Sequence, residues 1–575
     1  MSQRALSKRV CKEKRDFDEM KNAAAEFYRV SRVPQDIERA LHELFLHRPA
    51  DLHGYLADYF ANLAAPPRIS RVKGRQVYDA RGRLSVEAEV YCVVHNKEKV
   101  KVICLISMSS AAVSSHLVPE SQERTEHVMA AVLWINEPLN SMLKDRNPCD
   151  QLKIDDILST FFMDRCLEEK EVRDRERPDV IPSSSPPQTK EKKIINKGKK
   201  SIVEKPFPAV EPQKPVLHGS LAVGSVSLAV AKTGAQIQGI HLYEYIAALR
   251  NQEPPAQFHI PVSLVTLLSC GKTSPGKLNL LEEVILIPKV GQQVKQIITM
   301  ALEVQKEMMR IMNTLTNGGA SEAFVRDSGA LTVSHERAEQ PLDLIAEACT
   351  NLGVPLGTQI HLALNCAAHE LMDPSKGKYE VATGVLKSPD ELVDLYQTLI
   401  SKYPAVVALI DPFRQEDRDQ WEKLSSMIGN SCSLLSDVSY KSQGPPLPGV
   451  RGHILKHINE TTVSDLIHMT SEQQGSVLMG TTCSEPCSED SLSDIAVGLG
   501  LHYVKLGGLS GAERMTKYNR LISIEEELAQ QGILVFKEKH PPPLFPDNPH
   551  KHSGTAEGAR SGLEEHSSHL IQAHL

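Results

Sequence analysis

No run in this 575-residue sequence approaches the roughly 18 to 20 uninterrupted apolar residues that a membrane-spanning helix needs. The amino terminus, MSQRALSKRVCKEKRDFDEM, also lacks the apolar core of a secretory leader. The 11 cysteines have no repeating spacing, which argues against a disulfide framework and for a reducing, cytosolic compartment. A large excess of one charge is missing too. The net charge of -7 provides no global attraction for nucleic acid or anionic lipid, so neither nucleic acid nor membrane is an expected partner. What is present is an ordinary mixture, 41% apolar and 24% charged, in a chain too long for one core. Two or three units joined by linkers follow.

The clearest boundary is residues 168–215, where charge alternates with Pro and Ser, leaving too little apolar surface to offset the entropy of ordering. Its KEKK and KGKK clusters read as solvated lysines. Residues 1–32 read as a flexible terminus, and 540–575 as a disordered tail whose His540, His550 and His552 are too loosely spaced for a metal site. Cys483 and Cys487 in TCSEPC have no second ligand pair at zinc-site spacing.

Residues 33–66 carry two apolar stripes at helical spacing: Ile37, Leu41, Leu44 and Phe45, then Leu52, Leu56, Tyr59, Phe60 and Leu63. Arg48 and Pro49 separate them, so the segment predicts a helical hairpin. Two such short helices cannot bury both stripes, and pairing into a four-helix dimer solves this. RPADLHGYLADYFANL resembles the docking and dimerisation fold of protein kinase A regulatory subunits, which implies an anchoring protein held by helix-in-groove recognition, often in cilia and flagella. A hairpin packed on its own chain is the other reading.

From Arg71 the pattern becomes strand-like in QVYDARGRLSVEAEVYCVV, with Gly82 at a turn, and helical periodicity follows in ERTEHVMAAVLWINEPLNSML and GSLAVGSVSLAVAKTGAQIQGIHLYEYIAAL. Residues 71–255 therefore predict an α+β domain interrupted by the polar insertion. Over 256–535, apolar runs such as HLALN, AVVALID, SCSLLSD, GSVLMG and HYVKLGG alternate with amphipathic helices, which suggests a parallel barrel. In such barrels the residues closing each strand at its carboxyl end carry function.

VYDARGRLSVEAEV, AVGSVSLAVAKTGA, LEEVILIP, KSPDELVDLYQTLISKYPAVVALIDPF and YVKLGGLSGAERMTKYNRLISIEEEL resemble enolase in sequence and in order over residues 71–530, nearest a sperm-associated vertebrate branch of that family. The resemblance implies the enolase fold, an N-terminal α+β domain followed by a β/α (TIM-like) barrel, here with an N-terminal helical docking segment. It implies dehydration of 2-phosphoglycerate, or a related small phosphorylated acid, to phosphoenolpyruvate, with magnesium stabilising the ene-diolate. It also implies a homodimer or a heterodimer with another enolase, and a flagellar or ciliary site.

Carried over residue by residue, the resemblance leaves a degraded site. Three barrel carboxylates hold the family's first magnesium; here Asn365 stands in LALNCAAHE, Ile410 in LIDPF, and Ser436 in LLSDVS, with Asp437 keeping the second acid. Asp327 persists, but the acid after it becomes Ser328, a poor proton donor at neutral pH. The lysine base ending the family's L-L-L-K strand falls near His468 in SDLIHMT, either an imidazole base or a helical histidine without a role. The family's S-H-R-S corresponds to Thr481, Thr482, Cys483 and Ser484, with both cationic side chains lost. The second metal loop reads SMSSAA, keeping Ser110 but placing Met108 and Ala112 where glycines stood. Glu283 and Lys505 match the family's substrate contacts. The expectation is weak or absent turnover by the isolated chain; the alternative is a non-catalytic scaffold or partner subunit anchored by its N-terminal helices.

Overall fold

The computed structural model describes residues 3–79, 82–106, 120–176, 217–251, 253, 255–272, 274, 276–315, 324–325, 328–438, 446–457, 460–472, 475–481 and 490–535. At the amino end, α1 (Gln3–Ser31) is helical where a flexible terminus was expected. The hairpin follows as α2 (Val33–His47) and α3 (Leu52–Leu63). Pro34 opens the first helix, Arg48 closes it at φ 43°, and Asp51 caps the second by accepting the Gly54 N–H at 2.9 Å.

An antiparallel sheet of β1 (Arg68–Tyr78), β2 (Leu84–Val94) and β3 (Lys97–Ile106) begins the next domain. Gly82 takes φ 69° in the β1–β2 turn, as a left-handed turn residue should. Helices α4 (Glu120–Trp134), α5 (Gln151–Glu176), α6 (Leu221–Gln238) and α7 (Leu242–Asn251) complete the domain, with α6 buried along most of its length. The polar linker begins later than expected. Residues 168–176 continue α5, stitched by Arg165–Glu168, Arg173–Glu169 and Arg175–Glu171 pairs at 2.7, 2.7 and 3.3 Å, so charge at helical spacing outweighs charge as a sign of disorder. The rest of the linker and the tail lie outside the described residues.

Eight strands then close a barrel in chain order: β4 (Val262–Ser269), β5 (Glu283–Pro288), β6 (Ile360–Asn365), β7 (Val406–Ile410), β8 (Ser433–Val438), β9 (Val450–Lys456), β10 (Ser476–Gly480) and β11 (Tyr503–Gly507), which returns to β4. The barrel is not wholly parallel. β5 runs antiparallel to both β4 and β6, because the connection over residues 270–282 contains no crossover helix. Around it lie α8 (Val294–Leu315), α9 (Glu339–Asn351), α10 (Pro389–Lys402), α11 (Arg418–Ile428), α12 (Val463–Glu472), α13 (Ser491–Gly498) and α14 (Ala512–Gln530). Inside is an apolar cluster of Leu264, Ile285, Ile287, Ala363, Ala408, Ile410, Leu435, Ile454, Leu478 and Tyr503, one or two from each strand. None of the described helices is long and apolar enough to cross a membrane.

Candidate functional site at the barrel mouth

Side chains alternate across a strand, so the residue two past each interior apolar position also faces inward, one layer higher. At the carboxyl ends this step leads from Leu264 to Thr266, Ala363 to Asn365, Ala408 to Ile410, Leu435 to Asp437, Ile454 to Lys456, Leu478 to Gly480 and Tyr503 to Lys505. Because β5 is inverted, its first residue, Glu283, reaches the same layer from Ile285. Cross-strand register agrees: Glu283 pairs with Asn365, and Asn365 with Ile410.

One half of the ring centres on Glu283. Its Oε2 accepts Lys505 Nζ at 2.7 Å and Asn365 Nδ2 at 2.9 Å, and its Oε1 accepts the Thr266 hydroxyl at 3.3 Å. Burial drives this carboxyl upward, but Lys505, Asn365 and the charge of Lys456 outweigh it and hold it below the usual carboxylate value. The other half joins Lys456 Nζ to Asp437 Oδ2 at 2.5 Å. Behind it, Asp411 Oδ1 accepts the Asp437 N–H at 3.1 Å, and the Ser436 hydroxyl also bonds to that carboxyl. Burial, then the Asp437 charge, pushes Asp411 up to about 7.

The structure brings Glu283, Asn365, Asp437 and Lys505 together and corrects two expectations. His468 is not at the mouth: it lies on α12, 69% exposed, with Nδ1 3.0 Å from Glu472. The cation that closes the sixth barrel strand is Lys456, in HILK. Like Lys505 in YVKLGG, it stands at the polar end of an apolar strand run. Ser436 likewise does not occupy the inward position on β8. The alternation gives that place to Asp437 and turns Ser436 toward Asp411. Ser328 sits beside β11, its carbonyl accepting the Gly508 N–H at 2.6 Å. Ser110, Asp327 and Ser484, with Met108, Ala112, Thr482, Cys483 and Cys487, lie outside the described residues.

These residues do not fit the magnesium that the sequence implies. That ion takes oxygen ligands in octahedral geometry, and the resemblance implies three carboxylates among them. Ile410 presents hydrocarbon and is 1% exposed, Asn365 directs its amide donor at Glu283, and Asp437 is held by Lys456. Among the described residues no group of three or more His, Cys, Asp or Glu side chains is placed to hold a metal ion. The mouth balances its charges internally, two lysines against two carboxylates.

A family model described as "Enolase, C-terminal TIM barrel domain" matches residues 257–540. Over 562 residues the chain is 45% identical to a protein of Danio rerio named Enolase 4, covering 93% of this chain and 96% of that one. Similar proteins of the same name come from Xenopus laevis, 43% identical over 555 residues with 93% and 96% covered, and from Homo sapiens, 40% identical over 575 residues with 92% of each covered.

Proposed function

The chain belongs to the enolase family, and from that premise we propose that it keeps the family's barrel without its magnesium-dependent dehydration of 2-phosphoglycerate, serving as a weak or inactive subunit or scaffold. The observation carrying this reading is Ile410, a hydrocarbon in the mouth layer packed on the interior apolar cluster, where the resemblance implies a metal carboxylate. Removing the ion removes the charge that stabilises an ene-diolate, and two lysines already neutralised by Glu283 and Asp437 do not replace it. Isothermal titration with magnesium tests the reading: no saturable uptake is expected at millimolar concentrations, and stoichiometric uptake would overturn it.

The same reading assigns the amino-terminal hairpin to docking. Leu41 and Phe45 are 55% and 64% exposed, so the stripe that should be buried is still open in a single chain. Pairing with a second copy or another enolase, and anchoring by a partner helix in a flagellum or cilium, would use this face.

A further inference from the structure

The first turn of a helix leaves backbone N–H groups without intrahelical partners. In α12, part of this need is met locally. Asp465 N–H donates to the Thr462 hydroxyl and Thr462 N–H to the Asp465 carboxylate, each at 3.0 Å. The other two donors are satisfied from the N-terminal domain. Val463 N–H donates to Ser227 Oγ at 2.9 Å, and Ser464 N–H donates to Asp155 Oδ2 at 2.9 Å, where the Ser464 hydroxyl also donates at 2.6 Å. Ser227 Oγ and Gln151 Nε2 complete the group by donating to Asp155 Oδ1 at 2.7 and 2.9 Å. Asp155 is 2% exposed, and Ser227 and Gln151 are fully buried.

This carboxylate lies where a helix N-terminus favours negative charge, but it comes from another domain. α12 follows β9 through residues 457–462, and β9 ends on Lys456. We propose that Asp155 and Ser227 are positioning residues for the barrel mouth: by capping α12 from outside the barrel, the N-terminal domain sets the end of β9 and so the place of Lys456. The inference rests on the mouth geometry and holds whether or not the mouth turns over a substrate. Asp155 stands on α5 and Ser227 on α6, the helices on either side of residues 177–216, so the clamp joins the flanks of that insertion to the mouth.

Hydrogen exchange by mass spectrometry on the full chain tests this, comparing wild type with Asp155→Asn and Ser227→Ala. Losing a cap of about 1.4 kcal/mol corresponds to about tenfold. We expect about tenfold faster exchange at residues 460–468 and a several-fold rise at 450–457, with β4 to β6 unchanged. Amine acylation followed by peptide mapping should label Lys456 several-fold faster and Lys505 at the wild-type rate. Loosening confined to 460–468 with unchanged Lys456 labelling would overturn the proposal, as would an equal rise at Lys456 and Lys505. Ser227→Ala removes only one hydroxyl and preserves the test if Asp155→Asn does not fold.

Discussion

Glu283 and Lys505 meet at 2.7 Å across the barrel mouth from strands that are not neighbours, since β4 lies between β5 and β11. Their ion pair ties the one inverted strand to the strand that closes the barrel. Lys505→Met should leave Glu283 buried without its cation and cost about 3 to 5 kcal/mol, measured by urea unfolding. The double variant with Glu283→Gln should cost less than the two single changes added together.

That pair also sets a pH dependence. Glu283 is held below its ordinary value of 4.5, so its stabilisation is present above that pH and is lost as the pH falls through the lower folded value. Thermal unfolding below pH 4.5 should show this loss in wild type and much less of it in Lys505→Met.

Asp411 has the opposite sign. Its folded value is raised from 3.8 to about 7, so the fold favours the protonated acid, and the associated stability declines as pH rises from about 4 to about 7. Asp411→Asn keeps an oxygen for the Asp437 N–H and should flatten that decline. A steeper decline in the variant would count against the assignment.

Ile410→Glu alone should destabilise the barrel, because it places a carboxylate in the interior apolar layer. Combined with Asn365→Asp it would set three carboxylates together with Asp437. Calorimetry should then detect magnesium binding where the proposed reading expects none in wild type.

In the hairpin, Leu41→Asp and Leu56→Asp should convert a self-associated full chain to monomer in sedimentation velocity. A persistent dimer in both would assign the association to another surface.

Most of this architecture is legible in the sequence because local rules agree there: short apolar runs bounded by Glu283 or Lys505 are strands, and the hairpin stripes keep helical spacing on either side of Arg48 and Pro49. It failed where two rules compete. The HILK run satisfies the strand-end rule at Lys456, whereas His468, read either as a base or as a helical histidine without a role, lies on an exposed helix, as in the second reading. Neighbouring Ser436 and Asp437 could not be assigned an inner and an outer face from order alone, since only the packing of Leu435 inside the barrel sets that phase. The alternating pattern does not expose the inverted β5, whose direction goes with a connection that has no crossover helix. The charged run after Leu167 read as a linker because its composition outweighed its helical spacing.

In the proposed reading the barrel has exchanged its metal site for internal ion pairs, Lys456 with Asp437 and Lys505 with Glu283. Steady-state conversion of 2-phosphoglycerate to phosphoenolpyruvate by the purified full chain, followed with and without magnesium, tests it most directly. No magnesium-dependent turnover at enolase-like rates is expected; such turnover, abolished by chelation and restored by the ion, would overturn the proposal.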